Sequence, residues 1–247
     1  KRVKTLSASQ FRAQKSATQG RGLTMLQHMS YDRTISAPGV IALGADRSLL
    51  GRGNGMQVIA ITGGKGGVGK TNIAVNLAVS MSMEGLDVML FDADLGLANV
   101  DVVLGMKPKY TLADVVSGDK TLADVVVDGP EGVRVIPAAS GVAQMVEMQS
   151  GEQETLIRQL SDQLIPPDVL IVDTGAGIDQ TVQTFVAACQ SAVLVVCDEP
   201  ASLTDAYALM KVLRAKKDIR RFEILANQVD NPLQGKQLFE RIANVCD

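Results

Sequence analysis

The chain has 247 residues, 46% of them hydrophobic and 21% charged, which is enough for one α/β domain with a sizeable buried core. Aromatic residues make up only 3% and tryptophan is absent, so a surface that stacks on bases or sugars is not expected. The net charge of −3 is unevenly spread, while three cysteines and one histidine without metal-ligand spacing exclude a zinc site and favour a reduced, cytoplasmic protein.

The first 55 residues form a basic segment without sustained periodicity. They carry nine Lys and Arg against two Asp, a formal charge of +7, which leaves −10 for residues 56–247. We predict a solvated extension here, or an arm that contacts a phosphate backbone, an anionic membrane or an acidic partner. The glycine-rich run at 51–55 indicates a linker, so we place the folded domain at 56–247. No apolar run approaches about 18 residues, so no membrane span is expected.

From Met56 onward, strand-like and helix-like segments alternate. The predicted strands are Val58–Thr62, Val88–Asp92, Val133–Pro137, Val169–Asp173, Ala192–Cys197 and Phe222–Asn227. The predicted helices are Thr71–Met83, Thr155–Leu164, Gln180–Ala188, Leu203–Lys216 and Leu233–Val245, and the repeated TLADVV at Thr111–Val116 and Thr121–Val126 predicts two capped helical turns. Because the strands are continuous apolar runs, we predict a mostly parallel sheet covered by helices on both faces. Ligands of such sheets bind at the carboxyl ends of the strands.

A glycine loop follows the first of these strands and opens the first helix. Its residues Gly64–Thr71 match G-x-x-x-x-G-K-[ST], the P-loop pattern, in the strand–loop–helix context that the pattern needs. Backbone N–H groups of such a loop surround phosphate oxygens, while Lys70 reaches the β- and γ-phosphates and Thr71 ligates Mg²⁺. A glycine-rich turn without a ligand is the alternative. The predicted ATP contacts are Gly64, Lys65, Gly66, Gly67, Val68, Gly69, Lys70, Thr71 and Asn72.

Three aspartates follow apolar strands of the predicted sheet. Asp92 and Asp94 come at the end of one strand, and Asp173 closes another. A carboxylate in this position beside a P-loop suits the Mg²⁺ shell, either directly or through water. The alternative for each is a helix N-cap or a turn residue.

Lys65 is a second lysine inside the loop. It cannot easily serve the same phosphates as Lys70, but it can reach across an interface to a partner's nucleotide, as an arginine finger does. A solvent-facing loop lysine is the alternative. The position therefore predicts an ATP-dependent homodimer.

The motifs GGKGGVGKT, DADLGLANVD and DTGAG together resemble the deviant Walker A ATPases, the MinD/ParA family, over roughly residues 56–247. Three further segments are most similar to flagellar-number regulators of the FlhG/FleN type. They are the run DADLGLANVDVVLG, the segment Val135–Gly141 and the segment Cys197–Lys211.

This resemblance implies a role for each site residue. Lys65 is the lysine that contacts the other subunit's ATP, and Asp94, in switch I, positions or activates the attacking water. Asp92 lies near Mg²⁺ through its water shell, and Asp173, at the head of switch II, holds a magnesium water. Asn227 matches the family's adenine-contacting asparagine, although a turn role is the alternative from the residue alone. The catalytic set is thus Lys65, Lys70 and Asp94, and the metal set is Thr71, Asp92 and Asp173.

The sequence also departs from the family pattern. Gly175 replaces the middle residue of switch II, which is expected to loosen that segment. The segment Thr18–Leu26 matches only part of an element with which some flagellar regulators stimulate a partner GTPase. Relatives continue into further sheet structure and a C-terminal amphipathic membrane helix that this sequence lacks, so we expect a truncated chain whose membrane binding is doubtful.

The leading hypothesis is a slowly hydrolysing ATPase whose ATP-dependent homodimer regulates flagellum number. It would antagonise a flagellar transcription activator or assembly factor, and a flagellar GTPase or C-ring component is the other expected partner. The location would be cytoplasmic, with peripheral association at the cell pole or inner membrane left open for a full-length protein.

Other function classes remain open from the sequence. A ParA-like DNA- or chromosome-positioning ATPase would bind duplex DNA through Lys and Arg, which the acidic core argues against. A MinD-like division-site ATPase shares the same motifs. A small-molecule kinase would need an acceptor pocket with a base, and none is recognisable, whereas a scaffold would use ATP only to hold one conformation.

Overall fold

The computed structural model describes residues 25–30, 56–139, 148, 150–162 and 165–246. Its strands are β1 Met25–Ser30, β2 Gln57–Gly63, β3 Val88–Ala93, β4 Val127–Asp128, β5 Arg134–Ile136, β6 Val169–Ala176, β7 Ser191–Val196 and β8 Arg221–Ala226. Its helices are α1 Lys70–Met83, α2 Val100–Leu104, α3 Leu112–Val116, α4 Leu122–Val125, α5 Ser150–Asp162, α6 Gln180–Ala187, α7 Pro200–Lys217 and α8 Pro232–Cys246. Most of Thr18–Leu26 and the end of Val135–Gly141 lie outside the described residues.

All eight strands form one sheet, in the order β1-β8-β7-β2-β6-β3-β5-β4. The six strands from β8 to β5 run parallel, and the two edge strands β1 and β4 are antiparallel. The predicted mostly parallel sheet is therefore confirmed. The edge strand β1 was not predicted, because its sequence MLQHMS lacks the alternation of a half-buried strand.

Alternate residues of the central strands pack on opposite faces of the sheet. Ile59 and Ile61 of β2 belong to the cluster that includes α1, whereas Ala60 between them packs with α6, α7 and α8. All six residues of β3 are buried, as a strand covered by helices on both faces requires. This two-sided burial explains why the strands appear in the sequence as unbroken apolar runs.

The strand order brings the predicted site residues together at the carboxyl ends of the central parallel strands. β6 lies between β2 and β3, and its register pairs Asp173 with Asp92 on one side and with Ile61 on the other. The expectation that Asp173 closes its strand is wrong, because pairing continues as far as Ala176 opposite Gly63. Asp173 therefore lies within its strand rather than at its end, and the residue is almost fully buried.

The TLADVV repeat forms two single-turn helices, α3 and α4, as predicted. In each, a threonine and an aspartate make a capping box, with Thr111 and Asp114 in α3 and Thr121 and Asp124 in α4. The leucine that follows each threonine is fully buried. The repeat is thus a packing and capping device within the connection from β3 to β5.

Among the described residues, no helix is both long enough and apolar enough to span a bilayer.

The core contact between β3 and α6 can be tested by truncation. Phe91 and Phe185 are both buried, with ring centroids 5.6 Å apart in an edge-to-face arrangement. Phe185→Ala should lower the free energy of unfolding by about 3–5 kcal/mol, since it leaves a cavity and removes an aromatic pair. Leu233→Ala is the control, because Leu233 is 64% exposed, and it should change stability by less than about 0.5 kcal/mol. Equal losses in urea denaturation would contradict this packing.

Candidate functional site

The phosphate-binding loop spans Gly64–Gly69, between the end of β2 and the start of α1. Gly67 and Gly69 have φ values of 80° and 94°, in the left-handed region that favours glycine. Gly64 is required for a different reason, because a Cβ atom there would lie 2.2 Å from the backbone of Asp205 in α7. The loop therefore packs closely against α7 at Gly64, and it leads into α1 after Gly69.

An open cavity of about 1020 Å³ lies in front of this loop. Its walls come from the loop and the start of α1, from the residues after β3, and from the segment between β6 and α6. Of the predicted site residues, Gly66, Gly67, Gly69, Lys70, Thr71, Asn72 and Asp94 line it. The side chain of Val68 is buried in the core, so only its backbone is available to a ligand.

Lys70 is buried at the floor of this cavity, with only 8% of the residue exposed. Burial lowers the pKa of its ammonium group, while the neighbouring carboxylates of Asp173 and Asp94 oppose that change. A buried cation at the N-terminus of α1 is placed for an anionic ligand, because the free backbone N–H groups and the helix dipole add to its charge. The arrangement suits a phosphate group.

Asp173 lies below Lys70, and both of its carboxylate oxygens are buried without a hydrogen-bond partner among the described residues. Burial raises the pKa of Asp173 to about 7. Lys70 and the nearby Thr71 hydroxyl oppose this rise, although the hydroxyl does not reach hydrogen-bond geometry. A hydrated divalent cation would supply these two buried oxygens with the partners that they lack.

Asp92 uses its carboxylate differently. Its Oδ1 accepts the backbone N–H of Asp94, and its Oδ2 accepts the N–H groups of Asn99 and Val100, each at 3.1 Å. Burial and the charge of Asp173 raise its pKa to about 7, against the effect of these three donors. Asp92 therefore holds the loop of residues 94–99, here called the switch I loop, and the start of α2.

Asp94 is half-buried and borders the cavity. Its Oδ1 accepts the N–H of Leu97 at 3.1 Å, which closes the switch I loop into a turn. The same oxygen would lie 3.4 Å from a Cβ atom at Gly175, so the loop and the segment after β6 meet at this point. Asp94 is thus the cavity carboxylate that both segments position.

Lys65 lies outside the cavity and on the rim of the loop. Its ammonium group donates a short hydrogen bond to Oε2 of Glu199, and the pair is exposed, with 36% and 55% of the side chains accessible. The hydrogen bond raises the pKa of Lys65, so the side chain stays charged at neutral pH. The two lysines of the P-loop pattern therefore occupy different environments, since Lys70 is buried at the cavity and Lys65 lies at the surface.

Asn227 follows β8 and contacts the loop from behind. Its Nδ2 donates to the carbonyl of Val68 at 2.8 Å, and its backbone N–H donates to the carbonyl of Val196 at 2.8 Å. It does not line the cavity in front of the loop.

Several residues of the site were not predicted from the sequence. Glu199 pairs with Lys65, Asp179 caps α6 by accepting the N–H of Val182 at 2.9 Å, and Thr181 borders the cavity. Leu97 and Val102 stand at its mouth with 71% and 69% exposure, which is high for apolar side chains. The one available signal was the pattern D-x-x-[VIL] at Asp179, an N-cap before an apolar helix.

The residues present fit a magnesium ion. Mg²⁺ keeps several of its waters and takes one or two protein oxygens beside the substrate phosphates. Thr71, which lines the cavity, and the unpartnered oxygens of Asp173 match that requirement. Because the carboxylate of Asp92 already accepts backbone N–H groups, it could contact the ion only through water. Within the described ranges there is no cluster of three His, Cys, Asp or Glu for a metal held by protein alone.

Comparison with known proteins agrees with this geometry. Residues 59–247 match the model of the CobQ/CobB/MinD/ParA nucleotide binding domain. The chain is 54% identical over 192 residues to the antiactivator FleN of Pseudomonas aeruginosa, covering 78% of this chain and 69% of FleN. It is 38% identical over 193 residues to the flagellum site-determining protein YlxH of Helicobacter pylori, covering 77% of this chain and 64% of YlxH. The chain thus spans slightly less than two thirds of YlxH.

A solved structure shares the architecture. The septum site-determining protein MinD of Pyrococcus horikoshii, complexed with Mg-ADP, has a TM-score of 0.61 and 27% identity, and the match covers 74% of this chain and 77% of MinD. The P-loop fold expected from the sequence is therefore confirmed.

The buried carboxylates predict a pH dependence of stability. Asp173 has a pKa of about 7 in the folded chain, against about 3.9 when unfolded, so the native state keeps a proton that the unfolded state releases. Stability without Mg²⁺ should therefore fall as pH rises from about 4 to about 7. Asp173→Asn removes the contribution of Asp173, while that of Asp92 remains, and should be more stable than wild type at pH 7.5, by roughly 1–4 kcal/mol, with the difference vanishing near pH 4.

Urea denaturation at several pH values, with EDTA present, measures this difference. The exposed Asp230 provides the control Asp230→Asn, which should follow wild type at every pH. A wild-type and Asp173→Asn pair with the same pH dependence would show that Asp173 is ionised in the folded chain.

The two glycines after Asp173 should respond oppositely to alanine. A Cβ atom at Gly175 would meet Asp94 at ordinary contact distance, and its φ lies outside the left-handed region, so Gly175→Ala should stabilise by about 0.4–1 kcal/mol. Gly177 has open space around it but a φ of 103°, so Gly177→Ala should destabilise by about 1–2 kcal/mol. Thermal melting of both variants tests this, and a loss at Gly175 would mean that switch II needs glycine there.

Proposed function

Since this chain belongs to the CobQ/CobB/MinD/ParA nucleotide-binding family, we propose that it is a slow MgATP-hydrolysing dimerisation switch that regulates flagellum number. The observation that carries the proposal is the separation of the two lysines of one loop. Lys70 is buried beneath the cavity, whereas Lys65 stands on its rim and is held only by an exposed ion pair.

The cavity favours a triphosphate with its metal. The loop amides, the N-terminus of α1 and Lys70 supply positive charge for the phosphates, and Thr71 and Asp173 supply oxygens for the cation. Bound Mg²⁺ would neutralise charge that develops on the phosphate oxygens. The Mg-ADP complex of MinD supports an adenine nucleotide and a magnesium ion as ligands of this chain.

Asp94 is the residue placed to orient the attacking water. It is the one aspartate of the three that borders the cavity, and the Leu97 N–H and the neighbouring Gly175 fix its position. Its carboxylate would accept a hydrogen bond from water on the open side of the terminal phosphate. The other aspartate of the lining, Asp179, is engaged in capping α6.

Lys65 is the residue proposed to act in trans, which makes this loop the deviant form of the Walker A motif. An exposed ion pair contributes little stability, so its rupture costs little when a better anion is offered. The triphosphate of a second subunit would be such an anion, and it would stabilise the dimer only as far as ATP binds the dimer more tightly than the monomer. Hydrolysis would then release the subunits.

The output proposed for the switch follows from the relatives. FleN is named as an antiactivator and YlxH as a flagellum site-determining protein, so we assign this chain to regulation of flagella. Its partner would be a flagellar transcription activator, a flagellar GTPase or a C-ring component. Direct DNA binding is disfavoured because residues 56–247 carry a formal charge of −10, which repels a phosphate backbone.

Removal of Lys65 separates nucleotide binding from dimerisation. Lys65→Ala should abolish dimerisation with MgATP and reduce turnover to background, yet leave ATP binding by the monomer within about threefold, since the phosphates of the same subunit are held by Lys70. Sedimentation velocity with ATP and with ADP, together with calorimetric titration, measures both quantities.

Two further variants test whether the effect is specific to Lys65 and whether hydrolysis releases the dimer. Lys216→Ala removes an exposed lysine from the far end of α7 and should dimerise as wild type does. Asp94→Ala should bind ATP, dimerise and fail to hydrolyse, so that the dimer persists. A Lys65→Ala chain that still dimerises with ATP would remove the basis for a trans role.

A further inference from the structure

The side chain of Asn227 lies against the phosphate-binding loop, 159 residues away in sequence. Its Nδ2 donates to the carbonyl of Val68 at 2.8 Å, while its backbone N–H donates to Val196 in β7. The residue is thus fixed to the sheet through its backbone and to the loop through its side chain. A side chain that served only as a turn residue would have no need of the second contact.

The fit at this contact is close. A Cβ atom on Gly69 would lie 2.4 Å from Nδ2 of Asn227, and Gly69 has a φ of 94°. The carbonyl of Gly69 in turn accepts the N–H of Ile73 at 3.0 Å, which opens α1. The side-chain amide of Asn227 therefore packs closely against Gly69, the residue before Lys70, where the loop ends and α1 begins.

The geometry of a peptide unit shows what the contact does. The carbonyl of Val68 and the N–H of Gly69 belong to one planar trans peptide, so they point in opposite directions. Holding the Val68 carbonyl toward Asn227 turns the Gly69 N–H to the other side, and Gly69 lines the cavity. The hydrogen bond from Asn227 thereby orients one of the donors that a phosphate would use.

We propose that Asn227 is a positioning residue for the phosphate-binding loop, acting through the Val68–Gly69 peptide. This inference rests on the proposed nucleotide-binding function and deepens it. It gives Asn227 a role in phosphate binding, in addition to the adenine contact that the family resemblance implies. The end of β8 then sets both the base position and the direction of a phosphate-binding amide.

Among the residues that the structure describes, the Val68 carbonyl has only one other side-chain contact. The thiol of Cys197 lies 3.6 Å from the same oxygen, and a thiol is a weak donor. Loss of the Asn227 amide would leave a poorly satisfied acceptor, and the peptide would be free to turn. The effect should therefore appear on any ligand that uses the loop amides, whether or not it carries a base.

Inorganic tripolyphosphate distinguishes the two roles, because it has the phosphates of ATP and no adenine. Binding of Mg-tripolyphosphate and of MgATP is measured by isothermal titration calorimetry on the full chain and on Asn227→Ala. The variant should lose affinity for both ligands, by roughly 5- to 100-fold for tripolyphosphate. Asn227→Leu, similar in size and uncharged but without the donor, should lose about as much, and it carries the test if the alanine variant does not fold.

Asn76→Ala is the matched control, since its Nδ2 also donates to a backbone carbonyl, that of Asn72 at 2.6 Å, on the exposed side of α1. It should bind both ligands as wild type does. An Asn227→Ala chain with wild-type affinity for tripolyphosphate would overturn the positioning role, whether ATP binding is weakened or unchanged. A wild-type chain that binds neither ligand would instead contradict the proposed nucleotide-binding function.

Discussion

The site depends on buried ionisable groups that lack enough partners at the carboxyl ends of the parallel strands. The carboxyl groups of Asp173 and Asp94 lie near the buried ammonium group of Lys70, Asp92 neighbours Asp173, and both oxygens of Asp173 lack a partner among the described residues. Burial of charge is costly, which raises the pKa of Asp92 and Asp173 to about 7 in the free chain, and such a cluster favours a ligand that brings both signs. A phosphate chain with its magnesium ion would do so, because we propose that the phosphates contact Lys70 and the loop amides while the cation contacts the carboxylates.

The fold keeps this cluster in place by gripping the glycine loop from two sides. Helix α7 and its N-cap residue contact the loop at two points, through the close approach of Asp205 to Gly64 and through the ion pair of Glu199 with Lys65. On the other side, Asn227 reaches the loop from the end of β8. A change in how Lys65 is bound would therefore be felt first at the N-terminus of α7, which offers a physical link between a partner subunit and the rest of the domain.

Most of the fold and the chemical identity of the site were predictable from the sequence. The buried strands are unbroken apolar runs, and the glycine loop lies where its pattern requires, so both follow from local residues. The helix starts were less accurate. α5 begins at Ser150, five residues before the prediction, because Gly151 and two glutamates there give little apolar periodicity. The repeat of capped turns was predicted correctly because a capping box is encoded within four residues.

The contacts that join distant segments were not predictable. Nothing in the sequence pairs Lys65 with Glu199, 134 residues later, or directs Asn227 to the Val68 carbonyl. Asp92 was expected near the metal, yet its carboxylate accepts three backbone N–H groups, a local role that its strand-end position does not reveal. Such roles depend on the sheet order, which one sequence without its structure does not specify.

The central claim is that buried carboxyl groups near the phosphate-binding loop keep protons in the free chain and release them when MgATP binds. It is tested most directly by calorimetric titration of the wild-type chain with MgATP at pH 6.5, in two buffers that differ in ionisation enthalpy. The account predicts binding with release of protons from the carboxylates, whose pKa values are about 7 in the free chain, and hence different apparent enthalpies in the two buffers. No binding, or binding with the same apparent enthalpy in both buffers, would contradict it.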